Sequence, residues 1–179
     1  FCKNLTTISV SADNASFCTA EYGVLHTKDM LYLIRCPGTF AGTYTISDTV
    51  QGIAIGAFSE CTKLENVIIP EMVFCIEADT FRNNYVLNNI TIPVTIQYID
   101  EGAFAGCVGL TDVYYSGSVS QWNEISIRED NDPLTNANIH FAERNIVYVD
   151  VVTTPRVDYF LYEEFDSFGM ELCVSYDDG

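Results

Sequence analysis

Basic side chains are what this chain has least of: 8 Lys and Arg stand against 25 Asp and Glu in 179 residues, a formal net charge of −17. A field of that sign repels phosphate backbones and anionic lipid headgroups, which argues against nucleic acid and membrane surfaces as partners. No run approaches the roughly 18 apolar residues of a spanning helix, so no membrane insertion is expected. The chain opens at Phe1-Cys2-Lys3 without the basic and apolar segments of a secretory signal, and so reads as already processed. Histidine is confined to His26 and His140, neither with a second His or a Cys at ligand spacing. The 7 cysteines are odd in number and include no Cys-x-x-Cys pair. That is neither a zinc site nor the even disulfide framework of a small secreted domain. No catalytic, metal or cofactor site is expected.

Apolar residues are plentiful, at 48% of the chain, and they recur. Phe58, Phe81 and Phe104 are 23 apart, and five further columns keep the same phase. Ahead of each Phe stand Val50, Val73, Ile96 and then Ile53, Ile76, Ile99. Behind it come Leu64, Leu87, Leu110, then Val67, Ile90, Val113, then Ile69, Ile92, Tyr115. A fixed period of this length is the signature of a solenoid. Leu-x-x-Val-x-Ile alternates as a short inward-facing strand does, Pro70 and Pro93 end two of these strands, and no repeat holds a helix-length amphipathic run. The fold expected is a β-rich solenoid of right-handed, 23-residue coils sharing a parallel sheet, each closing through an Ala-Phe or Ala-x-x-Phe turn.

One polar column interrupts the apolar ones: Cys61, Asn84, Cys107. Cys61 and Cys107 would lie two coils, or about 10 Å, apart, too far for a disulfide. They read as reduced, structural residues that support a turn. Cys18 and Cys36 flank a β-hairpin expected around Lys28-Asp29 and could meet, while Cys75 shares a column with Gly52 and Tyr98 and is expected at the surface.

Beyond the array the phase continues with changes. Leu5-x-x-Ile8-x-Val10 repeats the strand signature, and Val10 to Ile46 is one period plus 13 residues, an insertion spanning about 11–45. Within it, Tyr22-Gly23-Val24-Leu25 and Leu31-Tyr32-Leu33-Ile34 around Lys28-Asp29 read as a β-hairpin protruding from the coil. Trp122, Ile125, Ile127, Leu134 and Ile139 form an atypical terminal coil over about 115–142, with Trp122 read as an aromatic cap. Strand-like stretches at Ile146–Val152 and Met170–Tyr176 follow, joined through Thr153-Thr154-Pro155. From Asp150 to the end, eight carboxylates face Arg156 alone.

Residues 55–70 (IGAFSECTKLENVIIP) and 102–113 (GAFAGCVGLTDV) resemble the BspA-like, or Treponema pallidum-type, leucine-rich repeats of bacterial surface proteins. The insertion resembles the long repeat variant of that family, and residues 114–140 its terminal repeat, so the likeness covers about 1–142. Thr154-Pro155, Tyr159, Glu163, Asp166, Gly169-Met170 and Val174-x-Tyr176 resemble the opening strands of a bacterial immunoglobulin-like module over 143–179. Tyr162 stands where that family has glycine, and the later strands are missing. The resemblance implies a secreted or wall-attached protein of a host-associated, gut-type bacterium, acting in adhesion and carrying no catalytic residues.

Three functions are therefore weighed. The first is an extracellular binding module whose strand-surface positions Glu65, Asn66, Asn88, Asn89, Thr111 and Asp112 recognise a host extracellular-matrix or cell-surface protein or a glycan. The second is a stalk that displays another domain, and a distant third is a carbohydrate-active enzyme. Paired acids for glycoside hydrolysis need a defined separation across a cleft, whereas the acids here fall mostly in turns and in the tail. Asp130-Asn131-Asp132 lacks the Gly and terminal Glu of an EF-hand loop. An exposed first coil is an open edge, so self-association through the N-terminal coil is a further expectation.

Overall fold

The structure, a computed structural model, describes residues 4–142 and the backbone of two later strands, 146–151 and 172–176. Its elements in chain order are β1 (Phe17–Thr19), β2 (Leu25–Thr27), β3 (Tyr32–Arg35), β4 (Ala41–Thr45), β5 (Gly52–Ile53), β6 (Lys63–Ile68) and β7 (Cys75–Ile76). Next are β8 (Asn89–Ile92), β9 (Tyr98–Ile99), β10 (Asp112–Tyr115), α1 (Val119–Glu124), β11 (Ser126–Ile127), α2 (Asp132–Thr135) and β12 (Asn138–Phe141).

Stacked coils align these strands into two parallel ladders. The larger is a five-stranded sheet in the order β12-β10-β8-β6-β4. Its register matches Val67 to Ile90 and Ile90 to Val113, so the 23-residue period is the period of the fold. The smaller ladder pairs β3 with β5, β7 with β9 and β9 with β11, all in parallel.

All six apolar columns are buried, none of their members more than 7% exposed. The Phe column is a continuous stack: Phe58 and Phe81 lie 5.3 Å apart at 18°, and Phe81 and Phe104 lie 5.2 Å apart at 25°. Tyr44, Phe40 and Tyr22 extend it edge-on toward the N-terminus. Each turn around a Phe places two residues in the left-handed region. The first column is Gly56, Asp79, Gly102 and the second is Glu60, Asn83, Gly106, with φ between 56° and 76° throughout. Stacking explains the demand. Gly56 N donates to Ala78 O, Asp79 N to Glu101 O, Glu60 N to Arg82 O and Asn83 N to Ala105 O. The turn backbone must therefore present its N–H groups along the array axis.

The insertion is larger than a hairpin. β1, β2 and β3 form an antiparallel meander with its second turn at Lys28-Asp29, and β3 does not protrude but joins the smaller ladder beside β5. Leu33 and Val24 are apolar enough to be fully buried there, which binds the insertion to the core. Residues 4–10 form no strand, contrary to the expectation from Leu5, Ile8 and Val10. The segment is tied to β4's approach where the Thr39 N–H and hydroxyl donate to Leu5 O. The backbone of Ile8 lies against Gly23, so it does not run in register along the sheet.

At the other end the terminal coil departs from the period, with α1 and α2 replacing extended chain. Ser118 caps α1 in a reciprocal capping box with Gln121. Trp122, half-buried on α1, packs edge-on against Tyr115 at 5.1 Å and covers the core as an aromatic cap.

The chain divides into two compact units, Phe1–Ala142 and Glu143–Gly179. In the second, β13 (Ile146–Val151) pairs antiparallel with β14 (Leu172–Tyr176). Thr153–Pro155, Tyr159, Glu163, Asp166, Gly169 and Met170 lie outside the described residues, as do Phe1, Cys2 and Lys3.

Candidate binding surface

Alternation along a strand puts every second residue of the five-stranded sheet on its outer face. Pairing register then lines those residues into two rows. One is Thr43, Asn66, Asn89, Asp112, Asn138; the other is Thr45, Ile68, Thr91, Tyr114, His140. Of the six residues expected from sequence, Asn66, Asn89 and Asp112 occupy the first row. Glu65, Asn88 and Thr111 form a third row at the strand entrances, exposed and linked by backbone bonds from Asn88 N to Glu65 O and from Thr111 N to Asn88 O, both 2.9 Å. Sequence neighbours share one side here because Leu-x-x-Val places two outward residues between inward ones, and the β4–β6 register skips Glu65. All six are therefore brought onto one contiguous surface.

Hydrogen-bonding groups dominate it. Asn66 Nδ2 donates to Thr43 Oγ1 at 2.8 Å, Asn89 Nδ2 to Asn88 Oδ1 at 2.8 Å, and the Thr111 hydroxyl to Asp112 Oδ2 at 2.8 Å. His140 Nε2 lies 2.7 Å from Asp112 Oδ1, and its ring stacks on Tyr114 at 4.8 Å and 17°. The His140 contact, followed by the Thr111 hydroxyl, holds the Asp112 carboxyl below its ordinary range. Sequence reading missed the second row. Two-residue alternation from Asn66, Asn89 and Asp112 would have found Ile68, Thr91 and Tyr114, but His140 sits 26 residues after Tyr114, in a coil whose length departs from the period.

Other acidic side chains lie in the turns. Asp79 pairs with Arg82 at 2.9 Å and Asp100 with Arg128 at 3.3 Å, both on the surface. Among the described residues no group of three His, Cys, Asp or Glu side chains could hold a metal ion. Asn131, between Asp130 and Asp132, is buried, and its amide donates to the carbonyls of Asp100, Arg128 and Glu129. Those donations make the stretch a structural plug.

The cysteines resolve as free thiols at positions 18, 36, 61, 75 and 107. Cys61, Asn84 and Cys107 share the expected buried column. Cys107 Sγ donates to Phe81 O at 3.0 Å, whereas the Asn84 amide, fully buried, has no hydrogen-bond partner, so it fills the column without bonding the turn. Cys18 does not meet Cys36: its thiol turns to Thr27 O at 3.2 Å, on the antiparallel meander. Cys75 is half-buried and reaches Glu77. A cleft of about 320 Å³ opens between the antiparallel meander and β4, lined by Glu21, Tyr22, His26, Met30, Thr43 and Ser47. His26 is 1% exposed with both ring nitrogens unpartnered, and burial lowers its pKa.

Coils of this length, with an apolar interior and outer rows in register, define a leucine-rich-repeat protein. The chain belongs to the BspA-type leucine-rich repeat family, whose model matches residues 39–147. Among solved structures it is similar to a leucine-rich repeat protein from Eubacterium ventriosum, with 24% identity and a TM-score of 0.58 over 64% of this chain and 31% of that one. It is also similar to the pneumococcal vaccine antigen PcpA, with 17% identity and a TM-score of 0.56 over 76% of this chain and 39% of that one. The chain thus spans well under half the length of either. No curated protein matches it significantly. Among the described residues no helix is long and apolar enough to cross a membrane.

Proposed function

We propose that the outer face of the five-stranded sheet is the binding surface of a bacterial cell-surface or secreted protein, used in adhesion to a host extracellular-matrix or cell-surface protein or a glycan. The observation that carries this reading is the alignment of Asn66, Asn89 and Asp112 beside Glu65, Asn88 and Thr111 in adjoining rows. Repeated amides, hydroxyls and carboxylates at fixed spacing on a rigid scaffold match the repeated hydrogen-bonding groups of an extended partner. The −17 charge speaks against nucleic acid and for a neutral or basic ligand.

The test is binding of the whole protein to arrays of matrix proteins and glycans, compared with an Asn66→Lys/Asn89→Lys/Asp112→Lys variant. Loss of at least tenfold in affinity with unchanged circular dichroism is expected. Equal binding by the variant moves the site elsewhere.

A second reading, a stalk displaying another domain, is favoured by the short share of PcpA and of the Eubacterium protein that the chain covers. In that reading 143–179 begins an immunoglobulin-like spacer. Deleting the array without loss of adhesion would select it.

A further inference from the structure

Cys36, which follows the antiparallel meander directly after β3, stands one coil before Cys61 in the fold. Both side chains are 0% exposed, and their thiols turn to one shared backbone carbonyl. Each sulfur lies 3.7 Å from the same atom, the Pro37 carbonyl oxygen, and Cys61 Sγ is also 3.9 Å from Cys36 O. The backbones around the two residues are locked together. Cys36 N donates to Ala57 O at 2.8 Å, and the Arg35 guanidinium donates to the carbonyls of Gly56 and Ser59, on the turn that leads into Cys61. Cys107 is the contrast within the same column. Its neighbour one coil earlier is Asn84, and its thiol bonds to Phe81 O.

We propose that Cys36 and Cys61 form a modification site: an inter-coil disulfide made by exchange with a low-molecular-weight disulfide. One cysteine thiolate attacks a sulfur of the small disulfide and expels one small thiolate. The second cysteine thiolate attacks the protein sulfur of that mixed disulfide and expels the other. The two protein thiols lose two protons and two electrons, and the small disulfide is reduced to two thiols. Because both sulfurs are buried, exchange waits on opening of the coil, and the finished bond is shielded from reductants by the same packing. The bond closes the loop that holds β4 and β5, so it clips the insertion-bearing coil to the first regular one.

The experiment uses the full chain with Cys2, Cys18, Cys75 and Cys173 changed to Ser, leaving three of its 7 cysteines. It is equilibrated with oxidised glutathione, denatured and alkylated. Titratable thiols should fall from three to one, with Cys107 the alkylated residue and a Cys36–Cys61 peptide pair recovered without reductant. The melting temperature should rise by roughly 5–10 °C. Cys36→Ser and Cys61→Asn, the latter borrowing the residue of the next coil, should each block the loss of thiols and the rise. Three surviving thiols, a linkage through Cys107 or a second chain, or thiol loss in either single variant would overturn the proposal. Peptide mapping of the oxidised natural sequence, in which the same linked pair must appear, gives the result independently of the four serines.

Discussion

Asn131 Oδ1 accepts a hydrogen bond from Phe104 N at 3.0 Å, doing for the last regular coil what a backbone carbonyl does for the earlier ones. Phe58 N donates to Thr80 O and Phe81 N to Ala103 O, each one coil on. The next coil is irregular, so an amide side chain stands in for its backbone. The same amide's nitrogen shares its two hydrogens among three carbonyls, those of Asp100, Arg128 and Glu129. Asn131→Ala leaves the buried Phe104 N–H without its acceptor and Arg128 O without its donor, while Asp100 O and Glu129 O keep the backbone N–H groups of Ala103 and Gly102; the cost is about 1–3 kcal/mol. Asn131→Asp keeps the acceptor for Phe104 but turns a carboxylate toward carbonyls, and should melt no higher than the alanine variant. Thermal unfolding followed by circular dichroism checks both.

The left-handed columns predict an asymmetry between glycine and other residues. Gly102→Ala and Gly106→Ala force a Cβ into φ of 63° and 76°, the first against Asp79 Oδ1 at 3.2 Å and the second into Asn83 Oδ1. Each should destabilise by about 1–2 kcal/mol. Asp79→Gly relieves the same backbone cost and gives up only an exposed ion pair with Arg82, worth about 0–1 kcal/mol. Its stability should stay within about 1 kcal/mol of the parent. Equal destabilisation by all three would remove backbone geometry as the cause.

Phe81 is the middle of the aromatic stack, with a ring on either side. Phe81→Ala should cost about 3–5 kcal/mol, and Phe81→Leu distinctly less, because most of the cavity is then refilled. Denaturant melts of the two variants should separate clearly at their midpoints.

His26 carries the pH prediction. Burial lowers its pKa in the folded chain from the ordinary 6.5, so the unfolded chain takes up a proton first as pH falls. The folded state therefore loses stability from about pH 6.5 downward until its own, lower value is passed. Melting temperature should fall between pH 7 and pH 5. His26→Met should flatten that slope and, since neither ring nitrogen has a partner, leave stability at pH 7 unchanged or raised. A slope identical in the variant would remove His26 as its source; carboxylates such as Asp112, whose folded pKa is depressed by His140, lose their contribution only at lower pH.

The array was legible because its signal is redundant. Six columns of identical phase specify one register, and a residue such as Leu87 can be placed without knowing anything else. Where the period broke, legibility failed for physical reasons. Leu5, Ile8 and Val10 carry the strand pattern, but pattern alone does not secure pairing, and the insertion directs that segment toward Gly23. Cys36 lies 25 residues before Cys61, so an offset of two hid their adjacency. The positive-φ role of Asp79, Glu60 and Asn83 could have been read by noting that other coils place Gly56, Gly102 and Gly106 at those columns. The candidate surface was half visible. Its first row and the entrance row follow from polar positions within the period, whereas Tyr114 with His140 needed the terminal coil's true length.

The two left-handed columns also bear on how such an array changes over generations. Every regular coil presents its neighbours with the same N–H groups, the same ring and the same strand edge, so a 23-residue segment gained or lost in frame within the array leaves the layers on either side meeting a surface they already accept. Unequal crossing-over inside the repeated stretch would then lengthen or shorten the displayed rows by whole steps, sparing the termination built around Asn131. Selection could thus set the reach of the surface separately from the identity of the side chains upon it.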